Sequence, residues 1–188
     1  MPSERAGRWL IAAQVLLLGL LIVGAVWPHG PFEGKGMAYR LPVFAAPGWI
    51  VWWRWRHRRA DHPPYPVALG TALTVPFLLD TLGNALGLFD NVSHFDDALH
   101  FVNWAVLCAG VTLTFARGRI GAGATSGYHL LAGSGFGAIA IIGWEALEYA
   151  IMRSGVGGLD LTYADTVADL LLSTAGGVVG AAWAARHR

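Results

Sequence analysis

The fold this sequence predicts is an all-α, polytopic membrane helix bundle of about six transmembrane helices with both termini cytoplasmic, and three observations predict it. The 188 residues are 55% hydrophobic and 13% charged, against roughly 25% charged in an average soluble domain, so the chain cannot solvate its own surface. Six apolar stretches approach the length that a bilayer requires. The arginines between them alternate from side to side.

A hydrocarbon core about 30 Å thick takes roughly 20 apolar residues in a helix, because backbone groups in lipid must be paired within the segment. Segment one, 9–27, is uncharged throughout. Segment two, 41–57, is short and carries Pro42 and Pro47 near its start, which makes it the least secure of the six. Segment three, 66–89, contains Pro76, where a kink is expected, and the interior polar residues Asp80 and Asn84. Segments four, five and six cover 95–116, 128–152 and 163–185, and the last two are rich in glycine. All six belong to one transmembrane domain, 1–188.

Arg5 and Arg8 ahead of an apolar run resemble the charged start of a signal peptide. The run is too long for one, and no small-residue cleavage site precedes Trp27 and Pro28, so a retained helix is expected. Short loops rich in Arg and Lys stay cytoplasmic. Arg5, Arg8, Arg54, Arg56, Arg58, Arg59, Arg117, Arg119, Arg186 and Arg188 all fall on one side of a six-span arrangement, and the other side receives only Lys35, Arg40 and Arg153. Trp9, Trp27, Trp52, Trp53 and Trp55 near segment ends read as interfacial anchors. Gly133 with Gly137, and Gly176 with Gly180, have GxxxG spacing, which predicts close packing of segments five and six on each other or a homo-oligomer face.

Net charge is +1, so nucleic acid is not an expected partner. Cys108 stands alone in an apolar run and reads as a packing residue, which excludes a disulfide framework and a thiolate metal cluster. The chain has 12 acidic residues. From position 80 onward they are Asp80, Asp90, Asp96, Asp97, Glu145, Glu148, Asp160, Asp165 and Asp169, all on the outward side of the predicted topology.

Helical residues three or four apart share a face. Asp96, His100 and Asn103 form one such line, Asp97 precedes His100 by three, Glu145 and Glu148 are three apart, and Asp165 and Asp169 four apart. Carboxylates at membrane depth face the bundle interior, paired or coordinating. With Arg153 the sole nearby cation expected, protons, neighbouring acids or a divalent metal must neutralise them. Carboxylates and imidazole suit Zn, Mn, Fe or Mg, and the predicted ligands are Asp96, His100, Glu148 and Asp169, with Asp80, Asn84, Asp97 and Asn103 in support. Helix capping is the competing reading for Asp96, Asp97 and Asp165, which sit at helix starts; it fits Glu145, Glu148 and Asp169 poorly. Asp90 and His94 are assigned to a solvated outer turn, Asp160 to a solvated loop, and His29, His57, His62, His129 and His187 to flanks or loops.

Three motifs, Phe95-Asp96-x-x-x-His100-Phe101, Glu145-x-x-Glu148-Tyr149 and Asp165-Thr166-x-x-Asp169-Leu170, resemble those of the YjdF-like bacterial inner-membrane proteins, which carry such elements on successive transmembrane helices. The VanZ-like membrane proteins are a more distant likeness. The resemblance covers roughly 80–180 and implies a multi-pass protein of the bacterial inner (cytoplasmic) membrane. Asp90-x-x-x-His94-Phe95 repeats the first spacing upstream; the Asp96–His100 register is preferred because an aromatic precedes it and a full apolar helix follows.

Three functions follow from this pattern. The first is a metal-dependent hydrolase or transferase acting on a lipid or cell-envelope substrate, with Glu145 or Asp165 as base. Ser93, Ser134, Ser154 and Ser173 lack a G-x-S-x-G setting, so serine catalysis is not expected. The second is proton or metal-ion transport with Asp80 as a relay, opposed by the scarcity of polar residues in the cytoplasmic half. The third is a non-catalytic accessory or structural subunit tied together by the acidic cluster.

Overall fold

The computed structural model describes residues 2–57, 64–118, 121–155 and 161–187. Arg58, Arg59, His62, Arg119, Asp160 and Arg188 lie outside the described residues, as does the side chain of Arg5. Among the described residues the protein is all-helical, without strands. The helices are α1 (Pro2–Val26), α2 (Met37–Arg56), α3 (Val67–Ala72), α4 (Val75–Ala85), α5 (Leu88–Asn91), α6 (Phe95–Arg117), α7 (Ser126–Arg153) and α8 (Tyr163–Arg186), with a 3-10 turn at Gly30–Phe32.

Five stretches are long and apolar enough to cross a membrane: Gly7–Val26 of α1, Val67–Ala85 (α3 and α4 together), α6, α7 and α8. The second predicted segment is not one of them. α2 has the length of a span, but Arg40 near its start and Arg54 and Arg56 in its last turn dilute its apolar character.

The third segment departs from a single kinked helix. The chain breaks at Leu73–Thr74, and Pro76 sits in the first turn of α4 rather than at the bend. Proline lacks the N–H that would bond four residues back and its ring crowds that carbonyl, so the helix opens on the N-terminal side of Pro76. Thr74, 1% exposed, turns its hydroxyl back onto the Gly70 carbonyl at 2.7 Å. α4 ends at Ala85, short of the predicted 89; Gly87 takes a left-handed conformation (φ 65°), and α5 follows as a separate turn.

Small residues determine how closely the last three long helices approach. Gly176 and Gly180 lie against the backbone of Phe101 and Ala105, so this pair seats α8 on α6, while α7 and α8 meet as the spacing suggested through Gly137 and Gly177. Gly133 meets Thr112 of α6 and Ala181 of α8. One turn further, Gly137 and Gly177 close on Cys108: a Cβ at Gly137 would stand 2.7 Å from its sulphur. Cys108 is fully buried and packs with Trp104 and Ile141, the apolar role expected of it. A second core joins Leu17 and Leu21 of α1 to Phe32, Met37 and Phe44.

His129 is not in a flank. It lies in the first turn of α7, 0% exposed, beside the Phe115 ring, and neither ring nitrogen has a hydrogen-bond partner among the described residues. The chain alternates direction, so the starts of α6 and α8 and the end of α7 share one end of the bundle with Asp80 of α4. Arg54, Arg56, Arg117 and Arg186 close helices at the other.

Candidate functional site

Asp96 and His100 occupy the first two turns of α6, and Asp169 the second turn of α8. The close α6–α8 packing through glycine brings them together: one ligand atom from each lies within 4.8 Å of the other two. His100 Nε2 stands 3.5 Å from Asp169 Oδ1 and 3.8 Å from Asp96 Oδ1. Its other nitrogen, Nδ1, is 3.0 Å from the hydroxyl of Ser173, one turn beyond Asp169 on the same face of α8. Asp169 is 3% and Ser173 0% exposed, whereas about half of the Asp96 side chain is open.

The three ligand atoms edge a cavity of about 650 Å³ at this end of the bundle. Glu148 and Asp165 line it, as do Asp80, Asn84 and Asn103. Glu148 stands outside the 4.8 Å set. Glu145 is 7% exposed, does not line the cavity, and has no partner on either carboxyl oxygen among the described residues. The side-chain amide oxygen of Asn103 (Oδ1) is likewise buried without a partner among the described residues.

Two cations, Lys35 and Arg40, also line the cavity, which sequence spacing did not reveal. Asp80 is not without a basic partner: Arg40 Nη1 donates to its Oδ1, and Asn84, 2% exposed, donates to the same oxygen at 3.2 Å and to the Asp80 carbonyl at 3.0 Å. Arg40 Nε is fixed on the Lys35 carbonyl at 2.9 Å, and its guanidinium lies over the Phe44 ring. Lys35 pairs with Asp90 at 2.7 Å. These partners lie 40 and 55 positions apart; the Gly30–Phe32 turn carries the start of α2 across to α4.

Asp90 and His94, the upstream Asp-x-x-x-His pair, do not join the Asp96–His100–Asp169 group. His94 is largely exposed, adopts a left-handed conformation (φ 60°) and pairs with Asp97 at 2.8 Å. Asp97 therefore serves His94 rather than His100, and Asp90 serves Lys35. Asp165 is in the first turn of α8, but the cap is Thr162, whose hydroxyl accepts a hydrogen bond from the Asp165 backbone N–H at 3.1 Å; Asp165 itself lines the cavity.

Two carboxylates and one imidazole match the ligand set of a divalent ion such as Zn, Mn or Fe, with coordination positions left for solvent or substrate. If Nε2 ligates, Nδ1 carries the proton and donates to Ser173, the arrangement by which an outer hydrogen bond fixes a ligating histidine. No family model, curated protein or solved structure matches this chain.

Proposed function

We propose that this is a multi-pass protein of the bacterial inner membrane, with six spans including α2, both termini cytoplasmic and the acidic end outward, and that it is a metal-dependent hydrolase or transferase of a lipid or envelope substrate. The distribution of arginines supports the orientation, and the three motifs support kinship with the YjdF-like proteins. One observation carries the activity: Asp96, His100 and Asp169 converge at the edge of a 650 Å³ cavity that Arg40 and Lys35 also line.

Five carboxylates line this cavity, Asp80, Asp96, Glu148, Asp165 and Asp169, against two cations, Lys35 and Arg40. Fully ionised it carries a net −3, from five negative and two positive charges, an excess that either protonation or a bound counter-ion relieves. A divalent metal supplies it and polarises a bound ester or phosphoryl oxygen. Asp165, which reaches the cavity, is the base; Glu145, buried without a partner among the described residues, does not line it. Arg40 is held through Nε and Nη1, leaving Nη2 for an anionic oxygen. Transport through the α6–α7–α8 seam is disfavoured, because Gly137, Cys108 and Gly177 close it by direct contact below the site.

The test is hydrolysis or headgroup exchange on a bacterial envelope-lipid extract in proteoliposomes. Turnover that is abolished by chelation, restored by Mn or Zn, and absent in Asp165→Asn supports the proposal. Metal-independent turnover, or none in any metal, contradicts it.

A further inference from the structure

A second cavity of about 300 Å³ lies between α1, α2 and the α3–α4 break. It is apolar apart from Gln14 and Thr74, whose side chains are 3.4 Å apart. Ile11, Val15 and Trp49 at its mouth are more than half exposed, while Leu17, Phe44 and Thr74 at its floor are at most 4% exposed. On a membrane-spanning surface such a mouth opens to hydrocarbon.

Two features tie this groove to the metal-site cavity. Phe44 lines both, stacked on Phe77 at 4.6 Å and tilted against Trp144. The helix break divides its residues between them, with Ala72 and Pro76 on the larger cavity and Leu73 and Thr74 on the groove. Along α2, Arg40, Phe44 and Trp52 mark head, junction and far end. At 1.5 Å per residue the groove runs about 12 Å beyond Phe44, and Arg40 to Trp52 is about 18 Å, more than half of a hydrocarbon core about 30 Å thick.

We infer that the substrate is a long-chain lipid bound head and tail: an anionic head between Arg40 and the Asp96–His100–Asp169 wall, and its chain passing Phe44 into the α1–α2–α4 groove. This rests on the reading of the site given above. Gly48 provides the groove's space, since a Cβ there would meet Gln14 Nε2 at 3.3 Å and Thr74 Oγ1 at 3.6 Å; a larger side chain fills the groove without touching the acidic wall.

The experiment uses phosphatidic acid with a diazirine at the end of one palmitoyl chain, reconstituted with the full-length protein, irradiated and mapped by peptide mass spectrometry. Labelling of Leu17, Phe44 or Thr74 is expected in wild type and lost in Gly48→Leu, with labelling of the exposed Ile139 and Ile142 unchanged as the control for folding. Should Gly48→Leu fail that control, Leu18→Trp narrows the same groove from α1 and must give the same loss. Label confined to exposed side chains, label that survives both variants, or equal floor labelling by a diacylglycerol probe lacking the phosphate would overturn the inference. Metal content of the same preparations separates the two claims: a metal-free protein that still labels the floor removes the proposed chemistry and leaves the lipid seat.

Discussion

The Nδ1 of His100 lies 3.0 Å from the hydroxyl of Ser173, a fully buried residue 73 positions further along the chain. This contact leaves Nε2 facing Asp96 and Asp169. Ser173→Ala removes the orienting hydrogen bond and retains the ligands. Metal affinity, measured by competition with a chelating dye, is expected to fall about 10- to 100-fold while the melting temperature in detergent changes little; unchanged affinity would show that the hydroxyl is only a packing group.

Arg40→Ala strands the Asp80 carboxylate, which is 19% exposed. Breaking one side of a buried pair costs several kcal/mol, and partial exposure reduces the expected loss to about 1–3 kcal/mol. Asp80→Asn in the Arg40→Ala background should recover part of it. Additive losses in a double-mutant cycle by thermal unfolding in detergent would mean that the pair is not coupled.

Gly180→Val drives a branched side chain into the Ala105 backbone, where the helices already touch. Overpacking of this kind costs about 1–3 kcal/mol or more and, by separating α6 from α8, also lowers metal affinity. Gly135→Ala, with nothing within 4 Å of its added carbon, is expected to be neutral in both measurements. Equal behaviour of the two variants would argue against the seam as the element that assembles the ligands.

Much of the site is legible in the sequence because it is local. Spacing alone puts the i, i+4 pairs Asp96–His100 and Asp165–Asp169 on shared helix faces, and the scarcity of basic residues around Glu145, Glu148 and Asp169, with Arg153 alone nearby in sequence, marks that end as unusual. What stays hidden is long-range. The Arg40–Asp80 and Lys35–Asp90 pairs depend on how the Gly30–Phe32 turn returns the chain to α4, which no periodicity encodes. Ser173 has no catalytic motif to announce it, and its role follows from register between α6 and α8. His129, beside a polar flank in sequence, is buried because α7 begins two residues after Ala124 and its first turn already packs against Phe115. GxxxG spacing predicts the close approach of α7 and α8, which meet at Gly133–Ala181 and Gly137–Gly177, but not that Gly176 and Gly180 also seat α8 on α6.

Topology separates six spans from five. With α2 crossing, reporters fused after Val26 and at the C-terminus fall on opposite sides, the first periplasmic and the second cytoplasmic. With α2 lying along the surface, both reporters report the same side. Alkaline phosphatase and green fluorescent protein fusions at these two points decide between them.

Acid should empty the centre. Carboxylates and imidazole bind a metal only when deprotonated, so binding releases protons and affinity falls as pH falls. A titration of metal affinity from neutral to acid pH is expected to decline steeply in wild type and more shallowly in Asp169→Asn, which has one ionisable ligand fewer.

A bound ion is the first requirement of the Asp96–His100–Asp169 centre, and elemental analysis of detergent-purified protein, expressed without added metal and washed free of weakly held ions, reads it out. One equivalent of Mn, Fe or Zn per chain in wild type, lost in both His100→Ala and Asp169→Ala while each variant keeps its helical circular dichroism, is the predicted result. Wild-type protein that carries no stoichiometric metal, or both variants retaining it, would contradict the proposed centre.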